Sequence, residues 1–288
     1  MNSYVIFTDS GCDIKPEILK EWGVCSRSLS FRFSGEDKEY TNDEMDISVF
    51  YNKMREGGVA KTAAVNVQTF ADAFEAHLRE GKDILYLGFS SGLSTTYNSA
   101  RLAAEQLSGA YPEQRIITVD TLAASAGQGL LVYLACEKRD AGATLEETAE
   151  HIESIKLKLC HWFTVDDLVY LKRGGRVSGV TAFVGNLLGI KPVLHVDNDG
   201  HLINISKVRG RRTAVTALAD KYTELAHTKE DNVVFISHAD CLKDAEAVAE
   251  IIKTRHGVET KIITDVGTVI GAHAGPGTLA LFFIGKER

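Results

Sequence analysis

Three times in the first half of the chain, an apolar, strand-like run breaks into a turn crowded with small hydroxyl residues. Tyr4-Val5-Ile6-Phe7 leads into Thr8-Asp9-Ser10-Gly11-Cys12-Asp13, and Ile84-Leu85-Tyr86-Leu87 into Gly88-Phe89-Ser90-Ser91-Gly92-Leu93-Ser94-Thr95-Thr96. Ile116-Ile117-Thr118-Val119 leads into Asp120-Thr121 and then Ala124-Ser125-Ala126-Gly127. In an open α/β sheet, loops leaving the carboxyl ends of the strands meet at one crevice, where ligands bind. Hydroxyls and free backbone N–H groups there suit an anionic or carbonyl oxygen, because helix N-termini add positive partial charge. None of the three turns holds a lysine or arginine, which favours a singly charged carboxylate over a nucleotide's several phosphates. Each turn alone is also what helix capping by Ser, Thr and Gly produces. The middle one is too long and too dense in hydroxyls for capping alone.

Other groups compete for a chemical role. Gly88-Phe89-Ser90-Ser91-Gly92 matches the G-x-S-x-G nucleophile elbow after a strand, and Asp265 and His273 follow in the order that α/β-hydrolases use. A serine esterase with Ser90 as nucleophile is therefore the alternative enzymatic reading. Against it, Leu93-Ser94-Thr95-Thr96 intervene before a helical pattern begins, and no HGGG-type oxyanion segment precedes the strand. No phosphate-binding P-loop occurs, and Gly127-Gln128-Gly129 lacks the third glycine of a dinucleotide fingerprint. His238-Ala239-Asp240-Cys241 matches no standard metal spacing and reads as a strand end, so neither a metal nor a cofactor is expected. Two basic clusters, Lys172 to Arg176 and Lys207 to Arg212, stand out and would suit phosphate or carboxylate oxygens. They keep open a third reading, a binding module for a phosphorylated metabolite. His273 lies in the Gly/Pro turn His273-Ala274-Gly275-Pro276-Gly277-Thr278, where an imidazole can approach a ligand closely.

The elements that must position these groups follow from composition and periodicity. The chain has 288 residues, 44% hydrophobic and 25% charged, enough for two packed domains. A net charge of −7 argues against a general binder of nucleic acid or anionic membrane. The five cysteines lack CxxC spacing and no secretory signal is visible, so a cytoplasmic location is expected. Asp13 is expected to cap a helix over Ile14 to Trp22, and Leu29 to Phe33 alternates as a half-buried strand. Helices follow at Ile47 to Met54, around Phe70, Phe74 and Leu78, over Thr95 to Leu107, over Ser125 to Arg139 and over Leu145 to about Leu159. This βα succession predicts a mostly parallel, Rossmann-like sheet over residues 1–156. The pattern then changes to an α+β domain over 157–288. Its signs are a hairpin at Asp199-Gly200, strands at Val233 to Ile236, Thr260 to Ile263 and Leu279 to Ile284, and a helix over Leu242 to Arg255.

Taken together, these residues resemble the DegV family of fatty-acid-binding proteins, nearly end to end. The resemblance is carried by Thr8-Asp9-Ser10 with Asp13, Ser90-Ser91-Gly92-Leu93-Ser94 with Thr96-Tyr97, and Ser125-Ala126-Gly127. It continues through Tyr170-Leu171-Lys172-Arg173-Gly174-Gly175-Arg176, Gly189-Ile190-Lys191-Pro192, and His273 with Gly275-Pro276-Gly277-Thr278. It implies a two-domain α/β protein, not itself an enzyme, that holds one long-chain fatty acid in a tunnel between its domains and presents the carboxylate to a separate ATP-dependent fatty acid kinase subunit. Carried over by motif, the carboxylate-binding hydroxyls fall at Thr62 and Ser94, further ligand contacts at Arg173 and His273, and a kinase contact at Arg209. Phe89, Leu93, Phe183, Leu187 and Leu188 are then available as an apolar wall. The chain departs from the family pattern at Thr62-Ala63-Ala64-Val65, which removes one hydroxyl near the head group, and at Thr95, which stands where glycine is common.

Overall fold

A computed structural model of the protein describes residues 3–177, 189–228 and 232–288. The first half runs β1 (Tyr4–Asp9), α1 (Pro16–Glu21), β2 (Val24–Arg27), β3 (Ser30–Phe33), β4 (Tyr40–Thr41), α2 (Ile47–Arg55), β5 (Ala60–Ala63), α3 (Val67–Leu78), β6 (Asp83–Gly88), α4 (Thr96–Ser108), β7 (Ile116–Asp120), α5 (Ala126–Asp140) and α6 (Leu145–Ile155). The second half continues through β8 (Leu159–Thr164), α7 (Val169–Gly174), β9 (Ile190–Val196), β10 (Leu202–Arg209), α8 (Arg211–Leu225), β11 (Val234–His238), α9 (Leu242–His256), β12 (Thr260–Asp265), α10 (Thr268–Ala274) and β13 (Leu279–Ile284).

Strands β2-β1-β6-β7 form a wholly parallel sheet in that order, the Rossmann-like unit that the βα pattern predicts. β6 is buried along its whole length, as a central strand covered on both faces must be. A second, mixed sheet has the order β10-β9-β8-β13-β11-β12. Its closing strand alternates strictly. Leu279, Leu281 and Phe283 pack with Trp162 and Tyr222 on one side, while Ala280 and Phe282 join Ile6, Leu85, Leu130 and Leu131 on the other. The two sheets therefore share one core, with α5 between them. The absence of a Pro/Gly/Ser linker in the sequence is the trace of this close packing.

Local chemistry explains most element ends. Pro16 starts α1 at its first helical position, where its missing N–H costs nothing. A reciprocal capping box between Thr144 and Glu147 starts α6, and Gly257 in the left-handed region ends α9.

Two expectations need correction. Asp13 does not cap α1; it sits in the left-handed region and its carboxyl is used elsewhere. Leu29 to Phe33 holds the expected strand, and that strand, β3, lies between β4 and β5 in a small antiparallel sheet of its own. The helix from Leu145 stops at Ile155, and the chain passes through a 3-10 turn at Lys156–Lys158 into β8. Phe183, Leu187 and Leu188 lie outside the described residues.

Candidate functional site

Between the two large sheets lies a cavity of about 460 Å³, a usual size for a small-molecule site. Its wall draws on the loop after β6, on β5, on the start of α5, on α10 and on the inner face of the mixed sheet. Phe89, Leu93, Phe163, Val269, Ile270 and Phe282 supply much of the apolar surface.

Thr62, Ser94 and His273 all line this cavity, although they come from a short edge strand, a loop and a helix far apart in the chain. Thr62 Oγ1 lies 2.8 Å from His273 Nε2. β5 brings Thr62 there through its pairing with Phe31 on β3, and Phe31 is anchored against Phe50 in the aromatic cluster beneath the small sheet. Ser94 Oγ accepts the N–H of Thr96 at 3.2 Å and lies 2.9 Å from Thr96 Oγ1, which ties it to the first turn of α4. Burial, reinforced by the nearby Arg176 guanidinium, pushes the His273 imidazole down to about 4. It is neutral at neutral pH, so it offers the cavity a hydrogen-bonding group and not a cation.

The basic residues are placed unequally. Arg176 lines the cavity, with its guanidinium hydrogen-bonded to the Gly174 carbonyl. Arg173 is exposed on α7, 5.8 Å from the Tyr170 ring centroid and outside the cavity wall. Arg209 is exposed at the end of β10. In the second cluster, Arg211 is paired with Asp244 at 2.8 Å and Asp166 at 3.5 Å. The two clusters thus form no single phosphate pocket.

The three hydroxyl turns divide the same way. The first faces inward: Thr8 Oγ1 donates to the Leu87 carbonyl, and Ser10 Oγ accepts the N–H of Leu29. The buried Asp9 accepts from Phe89 N at 2.9 Å, Gly11 N at 2.9 Å and Tyr86 OH at 2.6 Å. These groups hold the loop after β6 and do not line the cavity. The second turn and Ser125 of the third do.

The esterase reading fails on geometry. Ser90 is fully buried; its hydroxyl donates to the Gly200 carbonyl at 2.9 Å and accepts the N–H of Gly92 at 3.2 Å. His273 pairs with Thr62, while Asp265 lies 3.7 Å from His238. Ser90 instead pins the loop after β6 to the β9–β10 hairpin. Gly200, at φ 77, must be glycine, because a Cβ there would stand 2.1 Å from Ser90 Oγ. The cysteines offer no better nucleophile: burial pushes the Cys160 thiol up to about 12 and that of Cys241 to about 11.

Two features escaped sequence reasoning. Asp13, buried, accepts from Gly267 N at 3.0 Å and from Ser125 Oγ at 2.5 Å, joining β1's turn to both α5 and α10. Its carboxyl is pushed up to about 8, chiefly by burial. His161, on β8, also lines the cavity, and Arg176 rather than its neighbour Arg173 reaches it.

A ligand-sized, largely apolar cavity between two α/β layers, lined in part by hydroxyls and a neutral imidazole, suits an amphipathic small molecule. A family profile described as "Uncharacterised protein, DegV family" matches residues 3–286, and the chain belongs to that family. It is 42% identical to a DegV domain-containing protein of Clostridium perfringens over 100% of this chain and 99% of the relative. It is 34% identical to a fatty acid-binding protein of Thermotoga maritima over 98% of each. Among solved structures, a fatty-acid-binding DegV family protein from Thermus thermophilus superposes with a TM-score of 0.89 at 28% identity, over 98% of this chain and 99% of that one.

Proposed function

We propose that this protein binds one long-chain fatty acid in the cavity between its sheets, with the carboxylate held by the hydroxyls of Thr62 and Ser94 beside His273. The observation that carries this is the Thr62–His273 pair, which lines, together with Ser94, a cavity whose wall is mostly apolar. A buried carboxylate requires hydrogen-bond donors, and each methylene withdrawn from water contributes about 0.8 kcal/mol. A hydrocarbon chain with one anionic end satisfies both conditions. The fatty acids bound by family members of similar fold support the reading. The test is extraction of the purified protein under denaturing conditions, followed by mass spectrometry. About one long-chain acid per chain is expected; absence of acyl lipid together with no uptake on incubation refutes the reading.

The finer part of the proposal is that the protein presents the carboxylate to a separate ATP-dependent kinase subunit. Arg173 and Arg209 support it: both are exposed and outside the cavity wall, so they are free to meet a partner or a phosphoryl group. The chain itself supplies no phosphate-binding loop. Acyl phosphate formed only on reconstitution with such a subunit, ATP and Mg²⁺ is the expected result.

A further inference from the structure

The apolar part of the cavity carries a polar station. Strand register places Ser237, Ala280 and Phe163 in one row on the inner face of the mixed sheet, and Phe235, Phe282 and His161 in the next. Of these six, all but Phe235 line the cavity. His161 is 1% exposed. Its Nδ1 lies 3.2 Å from the Leu159 carbonyl oxygen, which can only accept, so Nδ1 carries the proton. Burial pushes this imidazole well below its ordinary range, so Nε2 keeps a lone pair. That nitrogen is buried and has no hydrogen-bond partner among the described residues. The start of α5 packs closely beside it, where only glycine fits: a Cβ on Gly127 would stand 2.6 Å from Nε2.

Elsewhere in the cavity wall, Ser125 Oγ lies 2.9 Å from Ser237 Oγ and donates to Asp13. Ser125 reaches this position with a backbone at φ 53, ψ −149, a region that disfavours any side chain. Strain of that kind persists only where surrounding structure holds it. The chain therefore spends strain and buried polarity on a stretch of wall where a plain hydrocarbon needs neither. An alkyl or alkenyl chain offers no donor to a buried acceptor, whereas a hydroxyl does.

Resting on the fatty-acid reading above, we propose that His161 Nε2 accepts a hydrogen bond from a hydroxyl group borne along the acyl chain, away from the carboxylate. The cavity then selects hydroxylated long-chain fatty acids whose hydroxyl falls opposite His161. Ser237 provides a second oxygen on the same face.

The test is displacement of a dansylated fatty acid from the full chain by octadecanoic acid and by its positional hydroxy isomers. One isomer, or two adjacent ones, is expected to bind at least as tightly as octadecanoic acid. The others, with a buried hydroxyl unpaired, should bind about tenfold to hundredfold more weakly. His161→Phe should bring the favoured isomer down to the level of the rest, each measured relative to octadecanoic acid on the same variant. His161→Gln, which restores an acceptor oxygen, should keep the preference. A uniform penalty for every isomer in the wild type, or a preference unchanged in folded His161→Phe, overturns the hydroxyl subsite. Failure of octadecanoic acid itself to displace the probe overturns the fatty-acid reading, and the subsite with it. Because the isomer ranking is read on the wild type, the result stands even if neither variant folds.

Discussion

Ser94→Ala separates a ligand contact from a helix-start contact, because the structure gives Ser94 both opportunities. Its oxygen accepts the Thr96 N–H at 3.2 Å and lies 2.9 Å from Thr96 Oγ1, a buried hydroxyl at the first turn of α4. With the Thr96 N–H donating to it, and with the Thr96 hydroxyl able to donate as well, the Ser94 proton can be turned to a carboxylate in the cavity. Removal of the hydroxyl leaves the Thr96 N–H without its side-chain acceptor, a loss of about 1 kcal/mol of stability by the usual worth of a helix-start side chain. It also removes a hydrogen bond to a charged oxygen, about 1.5–3 kcal/mol, which is roughly tenfold to hundredfold in affinity. Denaturant titration reads the first effect and competitive displacement of a fluorescent fatty acid reads the second. Thr62→Val is the companion variant: it leaves α4 intact, removes the partner of His273 Nε2, and should weaken binding by a similar factor. If the two hydroxyls share one carboxylate, the double variant loses less or more than the sum, since coupled neighbours are not additive. A Ser94→Ala protein that is less stable but binds fatty acid with unchanged affinity would refute the placement of the head group.

Ser90→Ala should destabilise the fold by about 1–3 kcal/mol, since it leaves the Gly200 carbonyl and the Gly92 N–H without their partner; the wild type should take no label from a fluorophosphonate, and labelling at Ser90 would restore the esterase reading. Asp13→Asn should change the pH dependence of stability. The Asp13 carboxyl is raised from its ordinary 3.8 to about 8 on folding, so the native state holds the proton more tightly and the stability this group contributes is lost as pH rises towards and through 8. Between about pH 6 and about pH 9 the wild type should lose about 2 kcal/mol that Asp13→Asn retains; parallel curves by chemical denaturation would contradict the buried, protonated Asp13. Arg209→Ala should bind fatty acid within about twofold of wild type, as an exposed side chain outside the cavity must, yet give little acyl phosphate in a reconstituted kinase assay; full activity there would remove its partner role.

Elements whose signal is local were legible. β6, α3 and β13 each carry an unbroken period and clear borders, and all three stand where periodicity puts them. β8 was not. Leu159-Cys160-His161-Trp162-Phe163-Thr164 follows α6 with no glycine or proline between, and all six residues are buried, so neither a border nor an alternation marks it. β5 fails for a different reason. Ala60-Lys61-Thr62-Ala63 has weak strand propensity and is held by pairing with β3, a contact that no window of sequence contains. Thr62 was therefore reached by motif resemblance, while the small sheet that carries it was not foreseen.

The same limit explains why three similar turns have different fates. Thr8, Ser10 and Ser94 are chemically alike, and a residue type does not say whether its hydroxyl turns inward. What decides is the buried backbone that surrounds each one. Thr8 Oγ1 donates to Leu87 O, Ser10 Oγ accepts from Leu29 N, and Asp9 accepts from Phe89 N. Ser94 has only the first turn of α4 to serve, and its hydroxyl lines the cavity. Ser90 shows the rule in reverse. Its surroundings match a nucleophile elbow over five residues, but the Gly200 carbonyl from the distant hairpin takes its proton, and a catalytic motif becomes a fastening between the two sheets. A hydroxyl's function here is set by whichever buried backbone group the tertiary fold brings within about 3 Å of it, and that is the information a linear reading lacks.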